Sequence, residues 1–425
     1  MKFAPPRGMR DFYPKELRIR NYIFDIWREV SLIHGFEEYD AAVVETEELL
    51  VRKSGEEIIN QIYTFEDKSG RKLALRPEMT PTLARMIINQ EKSLSFPLKW
   101  FCIVQCFRYE RMTKGRKREH YQWNLDIIGE ESCIAEAEVL SAAILALQKL
   151  GLDYKDFQVR IGSRKLLFDL LKSMKFNMEY FQKACLVIDK KGKISDEEMK
   201  DLLFVNGINQ EDIKKIFDII NIQDLEQIKK ILKDSNESLI ELNNLFELMK
   251  SYYLDKYITF DISIIRGLDY YTGIVFEAFD INKKFRAIFG GGRYNNLLSS
   301  LGGKSIPAVG LGFGDVVILE ILTELQKIPL SNKNIDVVVG YMSNSERNIA
   351  LEVTSILRNK GLKVDLLLSS HKAKKVFSYS NECKSKWTVF VGPDEAQYNK
   401  VTLKNMLTSE QCQITVSNIY DKIVD

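Results

Sequence analysis

Residues 107–129 read FRYERMTKGRKREHYQWNLDIIG. Trp100 to Tyr109 is rich in apolar and aromatic residues and predicts a strand that runs into this stretch. Arg111 to Arg118 is a strongly basic loop carrying Arg111, Lys114, Arg116, Lys117 and Arg118. Strict alternation follows. His120, Gln122, Asn124 and Asp126 face one way, and Tyr121, Trp123, Leu125 and Ile127 face the other, because successive side chains of a strand point to opposite sides. The two halves predict an antiparallel hairpin with a long basic loop. Its polar face must be satisfied by water or by a ligand, since buried polar groups without partners cost free energy. A solvated hairpin and a ligand-binding one both meet that demand.

Phe107-Arg108-Tyr109-Glu110-Arg111, the basic loop, and Gln122 and Asp126 on the return strand resemble motif 2 of the class II aminoacyl-tRNA synthetases. The resemblance implies that Arg108 grips the α-phosphate of ATP and that the loop touches the acceptor end of tRNA. Glu110, Arg116 and His120 are then also ATP-site residues, with His120 standing where an aromatic ring usually stacks on adenine.

Upstream, Ile62 to Glu66 and Arg71 to Leu75 flank the turn Asp67-Lys68-Ser69-Gly70 and predict a second hairpin. It leads into Arg76-Pro77-Glu78-Met79-Thr80, after which Pro81 can start a helix with Thr80 as its cap. Glu78 and Thr80 read equally as a helix-start signature or as polar groups for a cationic ligand. The run LRPEMT is similar to the family's amino-acid-binding loop, which implies that Glu78 and Thr80 hold the substrate's α-ammonium. Further upstream, Pro14 opens a helix closed at His34-Gly35, and a strand is predicted from Phe36 to Glu45. These resemble motif 1, the dimer-forming element of class II enzymes, with Ala42 where the motif has proline.

Downstream, Ser132 to Leu150 predicts a core helix capped by Ser132, and Phe157 to Ile161 a strand. From Arg164 to about Lys250 the texture is Lys-, Glu- and Asn-rich and helical, with a capping box at Ser195 to Glu198. Ile258 to Ile265 predicts a strand leading into Arg266-Gly267-Leu268-Asp269-Tyr270-Tyr271-Thr272-Gly273, and Ile274 to Phe279 another. The octet resembles the signature of the histidyl-tRNA synthetase family. By that likeness Arg266 reaches the substrate carboxylate and the α-phosphate, and Tyr270 and Tyr271 line the histidine pocket, Tyr271 against the imidazole. Gly290-Gly291-Gly292-Arg293-Tyr294 resembles the family's second signature and adds Tyr294 to that pocket. Asp126 and Tyr271 are then expected to pair the imidazole nitrogens, with Gln122 at the ammonium or carboxylate end. Pro307 to Gly314 (PAVGLGFG) and the helix from Asp315 to Leu325 hold the place of motif 3. There the arginine expected on the γ-phosphate is replaced by Val317, and Arg116 is the provisional substitute.

The 425-residue chain is long enough for several cores and carries a net charge of +2 with 28% charged residues, so RNA contacts must be local. It has no apolar run of membrane-spanning length and no signal-peptide pattern near Met1, which makes a cytoplasmic protein with no membrane association the expectation. The six cysteines form no CxxC, and His34, His120 and His371 are not paired at ligand spacing. Neither a protein-bound metal nor a disulfide framework is expected.

The fold class expected is a multidomain α+β and α/β chain. A class II antiparallel sheet flanked by helices occupies 1–163 and 251–329, a helical insertion 164–250, and an anticodon-binding α/β domain 334–425. Ser331 to Asn334 is a polar linker, and a βαβ pattern follows it. The resemblance implies ATP-dependent joining of L-histidine to tRNA(His) through a histidyl-adenylate, with Mg2+ and as a homodimer. The alternatives are a regulatory paralogue partnering ATP phosphoribosyltransferase, which generally lacks the 266–273 signature, and a non-catalytic RNA- or histidine-binding protein.

Overall fold

The computed structural model describes residues 3–51, 60–113, 115–222, 224–232, 235–266, 270–329 and 333–424. Lys114 of the basic loop, 267–269 of the octet and 331–332 of the linker lie outside them. The chain forms two compact units, Met1–Ile328 and Pro329–Asp425.

In the first unit the strands are β1 (Glu37–Glu38), β2 (Val44–Thr46), β3 (Tyr63–Glu66), β4 (Lys72–Leu75), β5 (Leu98–Phe107), β6 (Glu119–Ile128), β7 (Phe157–Ser163), β8 (Ile258–Phe260), β9 (Ile274–Asp280), β10 (Phe289–Arg293) and β11 (Ala308–Gly314). Eight form one sheet in the order β1-β5-β6-β11-β10-β9-β7-β8, and β2-β4-β3 form a small one. The large sheet is antiparallel except at its two ends, where β1–β5 and β7–β8 run parallel.

The hairpin read from the sequence is the middle of this sheet. Its apolar face is core. Trp123 is fully buried and stacks on Trp27 of the helix Pro14–Ile33 at 5.8 Å, and Phe313 of β11 closes on Trp27 at 5.1 Å. The Trp123 indole N–H donates to Ser31 Oγ at 2.9 Å, so the large ring is buried without an orphaned donor. The helix Ile134–Lys149, rich in Ala and Leu, packs into the same core. Each of these fully buried large side chains is worth roughly 1.5–3 kcal/mol of transfer free energy.

Four local expectations are corrected. The segment Phe36 to Glu45 is two short strands rather than one, because buried Arg76 takes over the backbone between them: its Nη1 donates to Ala41 O at 2.9 Å, and its N–H donates to Val43 O at 3.0 Å. The strand begun at Ile258 stops at Phe260, where Asp261 Oδ1 accepts from Ser263 N–H and Oγ–H and turns the chain. The helix Thr80–Gln90 includes Thr80, with Met79 before it and no side-chain cap. Ser132 bonds Glu130 instead of capping the helix behind it. The capping box at Ser195 and Glu198 is present in both directions.

Among the described residues, 164–251 carry six α-helices, Arg164–Ser173, Phe181–Ile188, Asp196–Val205, Gln210–Ile220, Leu225–Lys229 and Glu237–Ser251. Leu166, Leu203, Ile216 and Leu242 from them join one continuous core with the sheet.

The second unit holds β12 (Val337–Tyr341), β13 (Val364–Leu366), β14 (Trp387–Val391), β15 (Lys400–Asn405) and β16 (Gln411–Thr415), in the order β13-β12-β14-β15-β16. β12 pairs parallel with β13 and β14, and the helices Arg347–Asn359 and Ala373–Cys383 make the crossovers. The expected βαβ pattern is therefore present. Every residue of β12 is buried, as a central parallel strand requires.

Candidate active site

The polar face of β6 opens on a cavity of about 1150 Å³, whose walls include Glu78, Thr80, Arg108, Glu110, Arg116, His120, Gln122, Asn124, Arg266, Tyr270, Tyr271 and Tyr294. Glycines make room for it. β6 pairs with β11 so that Asp126 lies beside Gly310, Asn124 beside Gly312 and Gln122 beside Gly314. A Cβ on Gly310 would stand 2.0 Å from Asp126 Oδ1, and one on Gly312 would stand 2.2 Å from Gln122 Nε2. On β10, a Cβ at Gly290 would stand 1.5 Å from Arg266 Nη1. Glycine at every second residue of β11 thus leaves a bare strip of strand under the side chains of its neighbours.

Glu78, only 3% exposed, stands on the cavity wall. Its Oε2 accepts from the Tyr270 hydroxyl at 3.1 Å, and its Oε1 has no partner. Burial pushes its carboxyl above the ordinary range, while Arg108, the Tyr270 hydroxyl and Arg266 pull it back. Arg108 and Arg266, delivered by the end of β5 and the approach to β9, therefore act on the same carboxylate. Arg108 is anchored by Nε donating to Pro77 O at 2.9 Å. Arg266 is anchored by Nη1 on Glu277 at 2.8 Å, and its Nε has no partner. Burial opposes the Arg266 charge, but Tyr271 and Glu277 more than offset it and hold the guanidinium above the usual arginine range. Arg266 has φ +52°, a left-handed conformation that a non-glycine residue adopts at a cost of order 1–3 kcal/mol.

Asp126, 2% exposed, lies behind Tyr294 and Gly310 rather than on the cavity wall itself. Its Oδ1 accepts from the Tyr294 hydroxyl at 2.5 Å, and its Oδ2 is unpartnered. Burial raises its carboxyl to about 7, against the Tyr294 hydrogen bond, which lowers it. Tyr271 packs on Tyr270 at 4.9 Å and lines the cavity near Arg266. The phenol nearest Asp126 is thus Tyr294, not Tyr271. His120 Nε2 lies 3.3 Å from Gln122 Oε1. Burial and then Arg108 lower its pKa to about 3, so its ring is neutral. Arg116 pairs with Glu110 at 2.7 Å.

Three residues of the site were not singled out from the sequence. Asn124, 2% exposed with an unpartnered Oδ1, shares the polar face already visible in the alternation. Glu277 and Arg286 carry no local signal; tertiary pairing alone brings them to the cavity.

A sheet of this order, with an arginine leaving the hairpin strand and a second one facing it beside a carboxylate, is the catalytic core of a class II aminoacyl-tRNA synthetase. Residues 8–314 match the family model for histidyl-tRNA synthetase, and 328–425 match that of an anticodon binding domain. The chain belongs to the histidyl-tRNA synthetase family. It is 43% identical to the chloroplastic/mitochondrial histidine–tRNA ligase of Arabidopsis thaliana, over 98% of this chain and 85% of that one. It is 36% identical to the histidine–tRNA ligase of Leptospira biflexa, over 98% and 96% of the two chains. The crystal structure of histidyl-tRNA synthetase from Nostoc sp. PCC 7120 superposes with a TM-score of 0.83 at 26% identity, over 100% of this chain and 99% of that one.

Proposed function

We propose that the chain joins L-histidine to tRNA(His) in two steps. The substrate carboxylate first attacks the α-phosphorus of ATP, forming histidyl-adenylate and releasing pyrophosphate. A terminal ribose hydroxyl of tRNA then attacks the adenylate carbonyl, and AMP leaves. The observation that carries this reading is the convergence of Arg108 and Arg266 on one cavity beside Glu78. Neither step needs a side-chain nucleophile. Catalysis is positioning, plus stabilisation of the charge that grows on the phosphorus oxygens.

In this reading the free Oε1 of Glu78, with Thr80 and Gln122, receives the α-ammonium. Arg266 spans the substrate carboxylate and the α-phosphate, and its partnerless Nε–H is a donor for that purpose. Asp126, Tyr271 and Tyr294 select imidazole. A polar pocket of this kind discriminates against analogues that leave its groups unpaired by up to ~10⁴–10⁵. Arg108 holds the α-phosphate, His120 lies against adenine, and Glu110 and Arg116 reach the outer phosphates. Among the described residues no cluster of three or more His, Cys, Asp or Glu side chains forms a metal site. Mg2+ would therefore arrive on the nucleotide, since it binds mainly to phosphate oxygens and water, with Glu110 as one of the lining carboxylates able to share it.

The same reading assigns 1–163 and 251–329 to catalysis, 164–250 to the acceptor stem and 334–425 to the anticodon. It has the chain act as a cytoplasmic homodimer across the motif 1 region, where Leu32, Ile33, Val43 and Val44 are exposed. Among the described residues no helix is long and apolar enough to cross a membrane. A non-catalytic reading has Val317 in its favour, but Arg108, Glu78 and Arg266 all remain in the cavity. Histidine-dependent ATP–pyrophosphate exchange decides between them: a protein that binds histidine yet exchanges no pyrophosphate is not this enzyme.

A further inference from the structure

Helix Asp315–Glu324 starts directly from β11, and its Val317 lines the cavity. The side chain it offers there is aliphatic. What surrounds it is informative. Glu320, one turn further on, accepts the Gly115 N–H at 2.9 Å, so this helix holds the basic loop in place by a carboxylate. Gly115 has φ +78° and no side chain, and three groups lie at ordinary contact distance from the point where its Cβ would be. They are Val317 Cγ2 at 3.5 Å, Glu320 Oε2 at 3.7 Å and Arg286 Cδ at 3.8 Å.

Arg286 comes from the connection between β9 and β10, is exposed, and lines the same cavity. Its carbon stem therefore approaches the same glycine as Val317 and Glu320, with the guanidinium beyond the Cδ. Arg116, the provisional substitute, pairs with Glu110 at 2.7 Å and lines the same cavity. A guanidinium is suited to a terminal phosphate because its planar fork can donate two parallel hydrogen bonds to the oxygens.

We propose that Arg286 grips the γ-phosphate of ATP and steadies the departing pyrophosphate in this chain, in the space that Val317 leaves uncharged. The proposal rests on the cavity being the ATP site, and the test separates the two. Arg286→Ala, Arg286→Lys and Arg108→Ala in the full chain are compared with wild type for binding of ATP and of AMP by calorimetry and for ATP–pyrophosphate exchange. Loss of a charge-assisted pair at Arg286 should weaken ATP about tenfold to a hundredfold. AMP, which lacks the γ-phosphate, and histidine should bind as before, and Arg286→Lys should fall between. If Arg286→Ala binds ATP like wild type, or loses AMP in the same proportion as ATP, the assignment is overturned. If Arg108→Ala exchanges pyrophosphate at the wild-type rate, it is the ATP-site reading itself that fails.

Discussion

Tyr294 donates its hydroxyl to Asp126 Oδ1 at 2.5 Å and leaves Oδ2, buried, without a partner. A tyrosine 168 residues along the chain thus fixes one oxygen of the carboxylate, while the other stays buried as an unused acceptor behind the cavity wall.

The first consequence is a pH dependence. Burial raises the Asp126 carboxyl to about 7, so below that pH it is protonated and Oδ2 is a poor acceptor for an imidazole N–H. KM for histidine should rise as pH falls from 8 to 6, beyond the change due to the substrate's own imidazole. Asp126→Asn should raise KM throughout and remove that limb. A variant with the wild-type KM and profile would sink the role.

The same group predicts a stability trade-off. Its folded pKa lies above the unfolded value, so its proton favours the folded state; that contribution is full below about pH 4 and is lost as pH rises through about 7. Asp126→Asn should therefore be more stable than wild type at pH 8, by a few kcal/mol at about 1.4 kcal/mol per pKa unit, and the difference should vanish near pH 4. Thermal melts of the free protein at both pH values test this, and equal shifts at both would contradict it.

Glu78 keeps Oε1 free and buried under two arginines. Glu78→Gln retains the shape and the Tyr270 contact but loses the charge. KM for histidine should rise about tenfold to a hundredfold, with KM for ATP changing much less. Equal rises in both would mean that Glu78 merely supports the arginines.

Arg266→Ala and Arg108→Ala should each lower ATP–pyrophosphate exchange by about a hundredfold or more, the usual cost of losing one fixed donor to developing charge. Circular dichroism should show both variants folded. Near wild-type exchange by Arg266→Ala would remove the central element of the mechanism.

Two glycines on one face of β11 make a paired test of the bare strip. A Cβ at Gly310 meets Asp126 Oδ1 at 2.0 Å, whereas at Gly314 nothing lies within 4 Å. Gly310→Ala should lose about 1–3 kcal/mol from overpacking together with histidine binding. Gly314→Ala should stay within about 0.5 kcal/mol of wild type. Denaturant melts rank them, and the opposite order would refute the picture.

The sequence by itself determined the two faces of the central hairpin, because a strand alternates its side chains whatever it pairs with. Trp123 went to the core, and Gln122 and Asn124 to the cavity. It also carried the signature runs around Glu78, Arg108, Arg266 and Tyr294, and the parallel pattern of the second unit. It misplaced the ends of elements where a single side chain cut in, as Arg76 does before β2 and Asp261 does after β8.

Only the tertiary structure decided the partners: Tyr294 for Asp126, Glu277 for Arg266, and Arg286 and Val317 for Gly115. Local periodicity fixes the direction in which a side chain points. What it meets there depends on which distant strand lies alongside, and that is set by the packing of the whole sheet.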